Sequence, residues 1–177
     1  MKITGKRIYL KILIVGDDLT NYLRWMNDPE VVRFTESKGK VYSEHDLKDY
    51  IRLMSNGKNR LFGVYLKENK RHIGNIKLGN IHPVHKRADI GIIIGEKDLW
   101  GQGFGQEAIE LLTDHAFKRL NLKKVWAGMH ANNIGSHKAF LKSGFKDCGR
   151  QKDHCFLETE FVDGLLVEKI NKDYKNG

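Results

Sequence analysis

An α/β fold built on a mixed sheet is what this sequence predicts, and three observations predict it. Short apolar runs rich in isoleucine, valine and tyrosine alternate with segments whose apolar residues recur at helical spacing. Turn residues separate the two kinds of segment, and one strand-like run passes through a glycine-rich junction directly into a helix. The 177 residues, 40% hydrophobic and 10% aromatic, suit one core and one domain spanning 1–177.

Taken in order, residues 7–15 (RIYLKILIV) predict a strand, and Lys11 interrupts the run enough to exclude a leader or a membrane segment. "DDLTNYLRWMND" predicts a helix capped by Asp17 or Asp18, with Leu19, Leu23 and Met26 on one face and Pro29 beyond its end. Residues 28–42 are an irregular connection of the kind that carries substrate contacts. Ser43 with Asp46 forms a capping-box start for a helix that presents Leu47, Ile51 and Met54 and stops at Gly57. "RLFGVYLK", the turn "ENK" and "RHIGNIKLGNIH" make an antiparallel hairpin. In its second strand Ile73, Asn75 and Lys77 share one face, and His72, Gly74, Ile76 and Leu78 the other.

"KRADIGIIIG" follows as a strand whose Ile92, Ile93 and Ile94 imply burial on both faces and hence a central place. A helix from about Gly103 to Leu120 carries Ile109, Leu112, Ala116 and Leu120 at helical spacing. "KKVWAGMHA" is a strand, "NIGSHKAFLKSG" a helix ended by Gly144, and "FKDCGRQKD" with "ETEFVDGLLVEKI" a closing hairpin. The order is β-α-α-β-β-β-α-β-α-β-β, without repeats or linkers.

A net charge of +9 favours anionic partners. Lysines and arginines are nevertheless scattered through every element rather than clustered with aromatics, so no nucleic-acid partner is expected, and no apolar run is long enough for a membrane partner. Cys148 and Cys155 lack disulfide or zinc spacing and fit reduced thiols in a cytoplasmic protein.

The junction "DLWGQGFGQEAIELL" places glycines at 101, 103 and 105 where a strand meets a helix. Unpaired N–H groups, the helix dipole and bare backbone make that an anion site, suited to a diphosphate. A Walker loop is excluded because no glycine precedes Lys-Ser/Thr. A Rossmann fingerprint survives only as Gly103, Gly105 and Ala108, without the acidic residue that holds a ribose.

The segment "ADIGIIIGEKDLWGQGFGQEAIELLTDHAF" followed by "LNLKKVWAGMHANNIGSHKAFLKSGF" resembles the GNAT superfamily of acetyl-CoA-dependent N-acetyltransferases. "WGQGFG" stands for the cofactor loop, with Trp100 at its Q/R position, and "NIGS" for the following helix start. "YLRWMNDPEVVRF" is similar to the branch of ribosomal-protein N-terminal, polyamine and amino-sugar acetyltransferases. The resemblance implies a GNAT fold, a mixed but mostly antiparallel twisted sheet with helices on both faces. It implies acetyl-CoA as co-substrate and no metal. Gln102, Gly103, Phe104, Gly105 and Gln106 would cradle the diphosphate, Ile92, Ile93 and Ile94 would pair with the pantetheine arm, and Asn133 would contact the cofactor.

Acetyl transfer needs a neutral amine, yet an alkylamine with a pKa near ~10.4 is protonated at neutral pH. Asp89 resembles the position where this branch places an acidic residue and is the candidate base; an ion pair with Arg87 or Lys86 is the bland alternative. Phe140 occupies the position of the usual tyrosine acid, which leaves Ser136 or water as the fallback. Trp25, Phe34, Glu36 and Asn75 are the candidate acceptor-binding residues, with the acceptor entering between residues 28–42 and the hairpin ending near His82. Asp28, Glu30 and Glu36 against Arg33, Lys38 and Lys40 give a mixed lining that leans away from a polycation. The expected partner is a small-molecule amine such as an amino-sugar nucleotide, with a peptide N-terminus, a polyamine, a homodimer and a silent acyl-CoA sensor left open. His82, His85 and Asp89 are read as no metal triad, and His115 and His130 as packed or surface residues.

Overall fold

In a computed structural model that describes residues 1–175, the strands are β1 (Lys2–Thr4), β2 (Ile8–Ile12), β3 (Arg60–Leu66), β4 (His72–His82), β5 (Arg87–Ile94), β6 (Lys124–His130), β7 (Lys146–Leu157) and β8 (Glu160–Ile170). The helices are α1 (Thr20–Met26), α2 (Glu44–Leu53), α3 (Phe104–Lys118) and α4 (Ile134–Lys142), with a 3-10 turn at Lys97–Leu99. One sheet holds all eight strands in the order β1-β2-β3-β4-β5-β6-β8-β7, antiparallel except where β5 meets β6. This is the mixed sheet that the sequence predicts, mostly antiparallel as the resemblance implies, with β1 as an added edge strand.

The helices divide between the two faces because each presents one apolar stripe. Ala108, Ile109, Leu112 and Ala116 of α3 pack with Phe62, Val64, Ile76, Leu78 and Ile90, joined by Phe140 of α4. Tyr22, Trp25 and Met26 of α1 and Leu47 and Ile51 of α2 close over Leu13 and Leu61 on the opposite face. The capping box of α2 forms as predicted: the Asp46 N–H donates to Ser43 Oγ at 3.3 Å and the Ser43 N–H to Asp46 Oδ2 at 2.8 Å. Helix α1 starts later than its sequence implies. Asp18 Oδ1 accepts from the N–H and hydroxyl of Thr20, at 2.9 and 2.7 Å, and thereby holds a turn ahead of the helix rather than capping it.

One register feature corrects the predicted faces of β4. Val64 pairs with Gly74 but its neighbour Tyr65 pairs with His72, so Ile73 is the extra residue of a bulge. Ile73 therefore joins the core on the α3 side, and His72 turns to the α1 side, where its ring meets Trp25 edge-on at 4.8 Å and Asn75 by a hydrogen bond. The bulge thereby exchanges the faces that strict alternation gives to Ile73 and His72.

Candidate active site

Strands β5 and β6 run parallel for only three rungs: Arg87 opposite Lys124, Ala88 opposite Val125 and Asp89 opposite Trp126. Beyond them β6 stays with β8 as far as His130, whereas β5 stays with β4 as far as Ile94. The strands part, and the wedge between them is the throat of a cleft of about 1200 Å³. Because β6 has left, Ile92, Ile93 and Ile94 are half-buried, not covered on both faces as their sequence suggests. Backbone direction alternates along β5: the Gly95 N–H donates to the Ile73 carbonyl on β4 at 2.9 Å, while the Trp100 indole donates to the Ile94 carbonyl at 2.7 Å. Counting back by two, Ile93 and Gly91 turn their backbone groups to β4, and Ile94 and Ile92 turn theirs into the wedge. An amide-bearing ligand arm laid there finds an unpaired strand edge.

At the head of the wedge lies the glycine loop. Gly101 and Gly103 have φ of +75° and +82°, left-handed values that other residues adopt at a cost, and Gly103 is the residue preceding α3. Gly105 is different, because its backbone is ordinary and its value is the missing side chain. A Cβ there would sit 3.6 Å from Ile94 Cγ1 and 3.9 Å from Ile92 Cδ1, on the cleft side of the helix. Among the described residues, the N–H groups of Phe104, Gly105 and Gln106 have no protein acceptor, so three donors and the dipole face the cleft. Gln102 does not belong to this cradle. Its N–H bonds back to the Leu99 carbonyl at 3.4 Å, its side chain is tied to the Asp98 carbonyl at 2.7 Å, and Gly101 takes its place on the cleft wall. The Gln106 side chain likewise turns away to Glu110, at 2.8 Å, and leaves the work to its backbone.

The loop is held by a clamp that the sequence does not advertise. Arg7 donates from Nη1 to the Gln102 carbonyl at 2.9 Å and lies 4.3 Å over the Phe104 ring, while its Nε and backbone N–H, at 2.9 and 2.8 Å, bond the carboxylate of Glu107. Burial opposes ionisation of Glu107, but the bonds from Arg7 and from the Ile8 N–H outweigh it and hold the carboxyl below its ordinary value. The native pKa lies below the unfolded one, so this stabilisation is complete above the unfolded value of about 4.3 and is lost as pH falls through the depressed native value. Glu107→Gln is expected to lower the melting temperature at pH 7 by about 2–4 °C, the equivalent of roughly 1 kcal/mol. Thermal melts should show that gap closing below about pH 4.

Across the wedge, Asn133 caps α4 by accepting the Ser136 N–H at 3.1 Å, and both residues line the cleft. Phe140 is 2% exposed and packs edge-on against Phe145 at 5.0 Å, so this position fills the core and supplies no proton. Asp89 stands at the fork, nearly buried. It accepts from Asn80 Nδ2 at 2.6 Å and lies 3.4 Å from Lys77 Nζ. Its ion-pair partner is thus Lys77 on the neighbouring strand, and not Arg87 or Lys86.

Beyond Asp89 the cleft widens against residues 30–37, whose Phe34 meets His130 edge-on at 5.9 Å and whose Glu36 faces the same imidazole. Burial pushes the His130 pKa down, with the Glu36 charge opposing it. Of the four residues expected to bind the acceptor, Phe34, Glu36 and Asn75 line the cleft and Trp25 does not. Trp25 is 1% exposed, lies on the bare backbone of Gly95 and donates to Glu96 Oε1 at 2.9 Å; it buttresses the end of β5. The facing wall is formed by Gln151, His154 and Cys155 of β7, not by the turn near His82. Tyr50 and Lys77 also line the site and were not singled out from the sequence, and His130, expected as a packed or surface residue, lines it too; the β4 alternation places Lys77 beside Asn75, but the other two come from elements whose packing is not encoded locally. Among the described residues no three His, Cys, Asp or Glu side chains are grouped to hold a metal ion, and no helix is long and apolar enough to cross a membrane.

Residues 7–146 match the family model described as an acetyltransferase (GNAT) domain. The chain is 26% identical over 161 residues to an uncharacterized N-acetyltransferase p20 of Bacillus licheniformis, covering 89% of this chain and 90% of that one. Its fold superposes on spermidine N-acetyltransferase from Vibrio cholerae in complex with CoA and spermine with a TM-score of 0.84, at 23% identity, covering 97% of this chain and all (100%) of the other. Ribosomal-protein-S5-alanine acetyltransferase from Vibrio fischeri gives a TM-score of 0.85 at 20% identity, with 99% and 100% covered. A parted β5 and β6, a glycine cradle at the head of the wedge and a match over residues 7–146 lead to one conclusion: the chain belongs to the GNAT family and is an acetyl-CoA-dependent N-acetyltransferase.

Proposed function

We propose that the chain transfers the acetyl group of acetyl-CoA to a primary amine by direct attack within a ternary complex, the acceptor being a small molecule such as an amino-sugar nucleotide. The observation that carries this reading is the continuity of the cleft. It joins the free N–H groups of residues 104–106, the wedge face of β5 and the Asp89 carboxylate. The residues suit the cofactor: a diphosphate needs backbone donors and bare Gly105, and a pantetheine amide needs the unpaired edge at Ile92 and Ile94. Bound acetyl-CoA supplies the activated thioester.

The protein's own part then follows from position. Asp89 takes a proton from the incoming ammonium, directly or through a water, so that the nitrogen lone pair is free to attack. The Ile92 N–H, preorganised and turned into the wedge, stabilises the oxyanion that the thioester carbonyl becomes. The nitrogen–carbon bond forms and the carbon–sulfur bond breaks. The leaving thiolate, of a thiol that ionises near ~8.5, needs little protonation, which suits a site with phenylalanine at position 140; Ser136, on the α4 side of the cleft, or water delivers what is required.

The entrance is charged but largely self-compensated. Glu30 pairs with Lys97 and Arg33 with Glu158, at 2.9 and 2.8 Å, so a polycation finds few free carboxylates there. The test is thiol release from acetyl-CoA against amino-sugar nucleotides, polyamines and N-terminal peptides. Release with an amino-sugar nucleotide is expected. Release only with peptides or polyamines would transfer the acceptor to those classes, and acetyl-CoA raising the melting temperature with no release for any amine would leave a sensor.

A further inference from the structure

One polar group in the cleft floor is left over by everything above. Asn75, 5% exposed, lines the cleft, yet among the described residues its Nδ2 is buried without a hydrogen-bond partner. Its Oδ1 is occupied, 2.9 Å from His72 Nε2. His72 is fixed in turn by stacking on Tyr65 at 4.5 Å and meeting Trp25 edge-on. Burial pushes the His72 pKa down, so the ring is neutral and carries one proton; held on Nε2, that proton is donated to Oδ1. In that arrangement the carboxamide keeps two N–H hydrogens for a ligand. A buried amide N–H without a partner is destabilising, a cost that persists unless something bound there accepts.

Lys77 is two residues along the same face, about 7 Å away by strand geometry, its stem running over the bare backbone of Gly91 and its ammonium beside Asp89. The floor from Asn75 to Lys77 is thus made of donors, with the Asp89 carboxylate beyond. A protonated polyamine consists of donors and methylenes and satisfies neither Asn75 nor Lys77. An amine that also bears a hydroxyl or carbonyl oxygen satisfies both ends.

Resting on the acetyl-transfer reading, we propose that the acceptor is an amine carrying a hydrogen-bond-accepting oxygen, and that Asn75, aligned by His72, selects it over oxygen-free amines and polyamines. The shared chemistry admits two sources, an amino sugar and an α-amino carbonyl compound.

Calorimetry of the protein saturated with coenzyme A measures this independently of turnover, with glucosamine against cyclohexylamine, glycinamide against propylamine, and spermidine as the polyamine. Glucosamine or glycinamide should bind about tenfold more tightly than its oxygen-free match and than spermidine; whichever pair shows the margin identifies the source. Asn75→Leu should erase the margin, with retained coenzyme A binding reporting a folded variant. Asn75→Asp, which offers only acceptors, should erase it too. His72→Gln, able to donate to Oδ1, should preserve the margin that His72→Leu loses. Equal binding of spermidine or the oxygen-free amines, no binding by any probe, or a margin that survives Asn75→Leu overturns the proposal. A binding margin without thiol release for any amine would instead sink acetyl transfer, and thiol release with spermidine alone would sink only the acceptor assignment.

Discussion

Gly105→Val is expected to leave the protein folded and to weaken acetyl-CoA binding by about 10²- to 10⁴-fold. The backbone at this position is ordinary helix, and its Cβ would make normal van der Waals contacts with Ile94 and Ile92, so the Cβ itself brings little strain. Replacing glycine in a helix is, if anything, favourable, by up to about 1 kcal/mol in propensity before the smaller penalty for β-branching. The isopropyl group would nevertheless project from the cleft side of α3 over the N–H groups of residues 104–106. Charge-assisted bonds from such groups contribute about 1.5–3 kcal/mol each, and losing two of them gives the stated range at about 1.4 kcal/mol per decade. Melting curves and calorimetric titration of the same sample separate the two effects. A valine variant that binds acetyl-CoA as tightly as the parent would place the diphosphate elsewhere. Gly103 is the useful contrast: at φ +82° any side chain is strained, so Gly103→Val should lose stability together with affinity.

Asp89→Asn is expected to lower turnover at pH 7 by about 100-fold, the lower end of what a positioned general base contributes. The exchange keeps shape, and an amide oxygen can still accept from Asn80 Nδ2, so the fork between β5 and β6 should stay intact and acetyl-CoA affinity should not change. What the variant lacks is a group that takes the amine's proton. The deficit should shrink as pH rises toward the amine's own value, near ~10.4 for an alkylamine, because solution then supplies the free base. Rates measured from pH 6 to pH 10 decide it. Unchanged turnover at every pH would reduce Asp89 to the structural partner of Lys77 that its 3.4 Å contact also allows.

Much of this site is legible in the sequence where a local rule operates. The capping box of Ser43 and Asp46, the helical stripe of α3 and the alternation of glycines 101, 103 and 105 are each read within a few residues and hold in the structure. Legibility fails where a long-range partner decides. Nothing near Ile92–Ile94 says that β6 will leave after Asp89 and half-expose them. The order β6-β8-β7 likewise rests on a pairing across the closing hairpin, which is why Cys155 and His154 rather than His82 form the far wall. Trp25 was misplaced for a related reason, since its amphipathic helix shows that it faces inward but not that bare Gly95 and the Glu96 carboxylate await it there.

By itself the sequence determined the class of fold, the succession of elements and an anion-binding helix start whose resemblance named the chemistry, because those depend on periodicities of two and 3.6 residues and on backbone freedoms carried by single residues. Only the tertiary structure decided that Arg7 and Glu107 clamp the loop, that Lys77 answers Asp89, and that a bulge at Ile73 turns His72 toward Asn75. Those contacts join residues up to 100 positions apart, or hinge on one extra residue in one strand of a pair, and a chain read locally holds no record of which partner packing will bring.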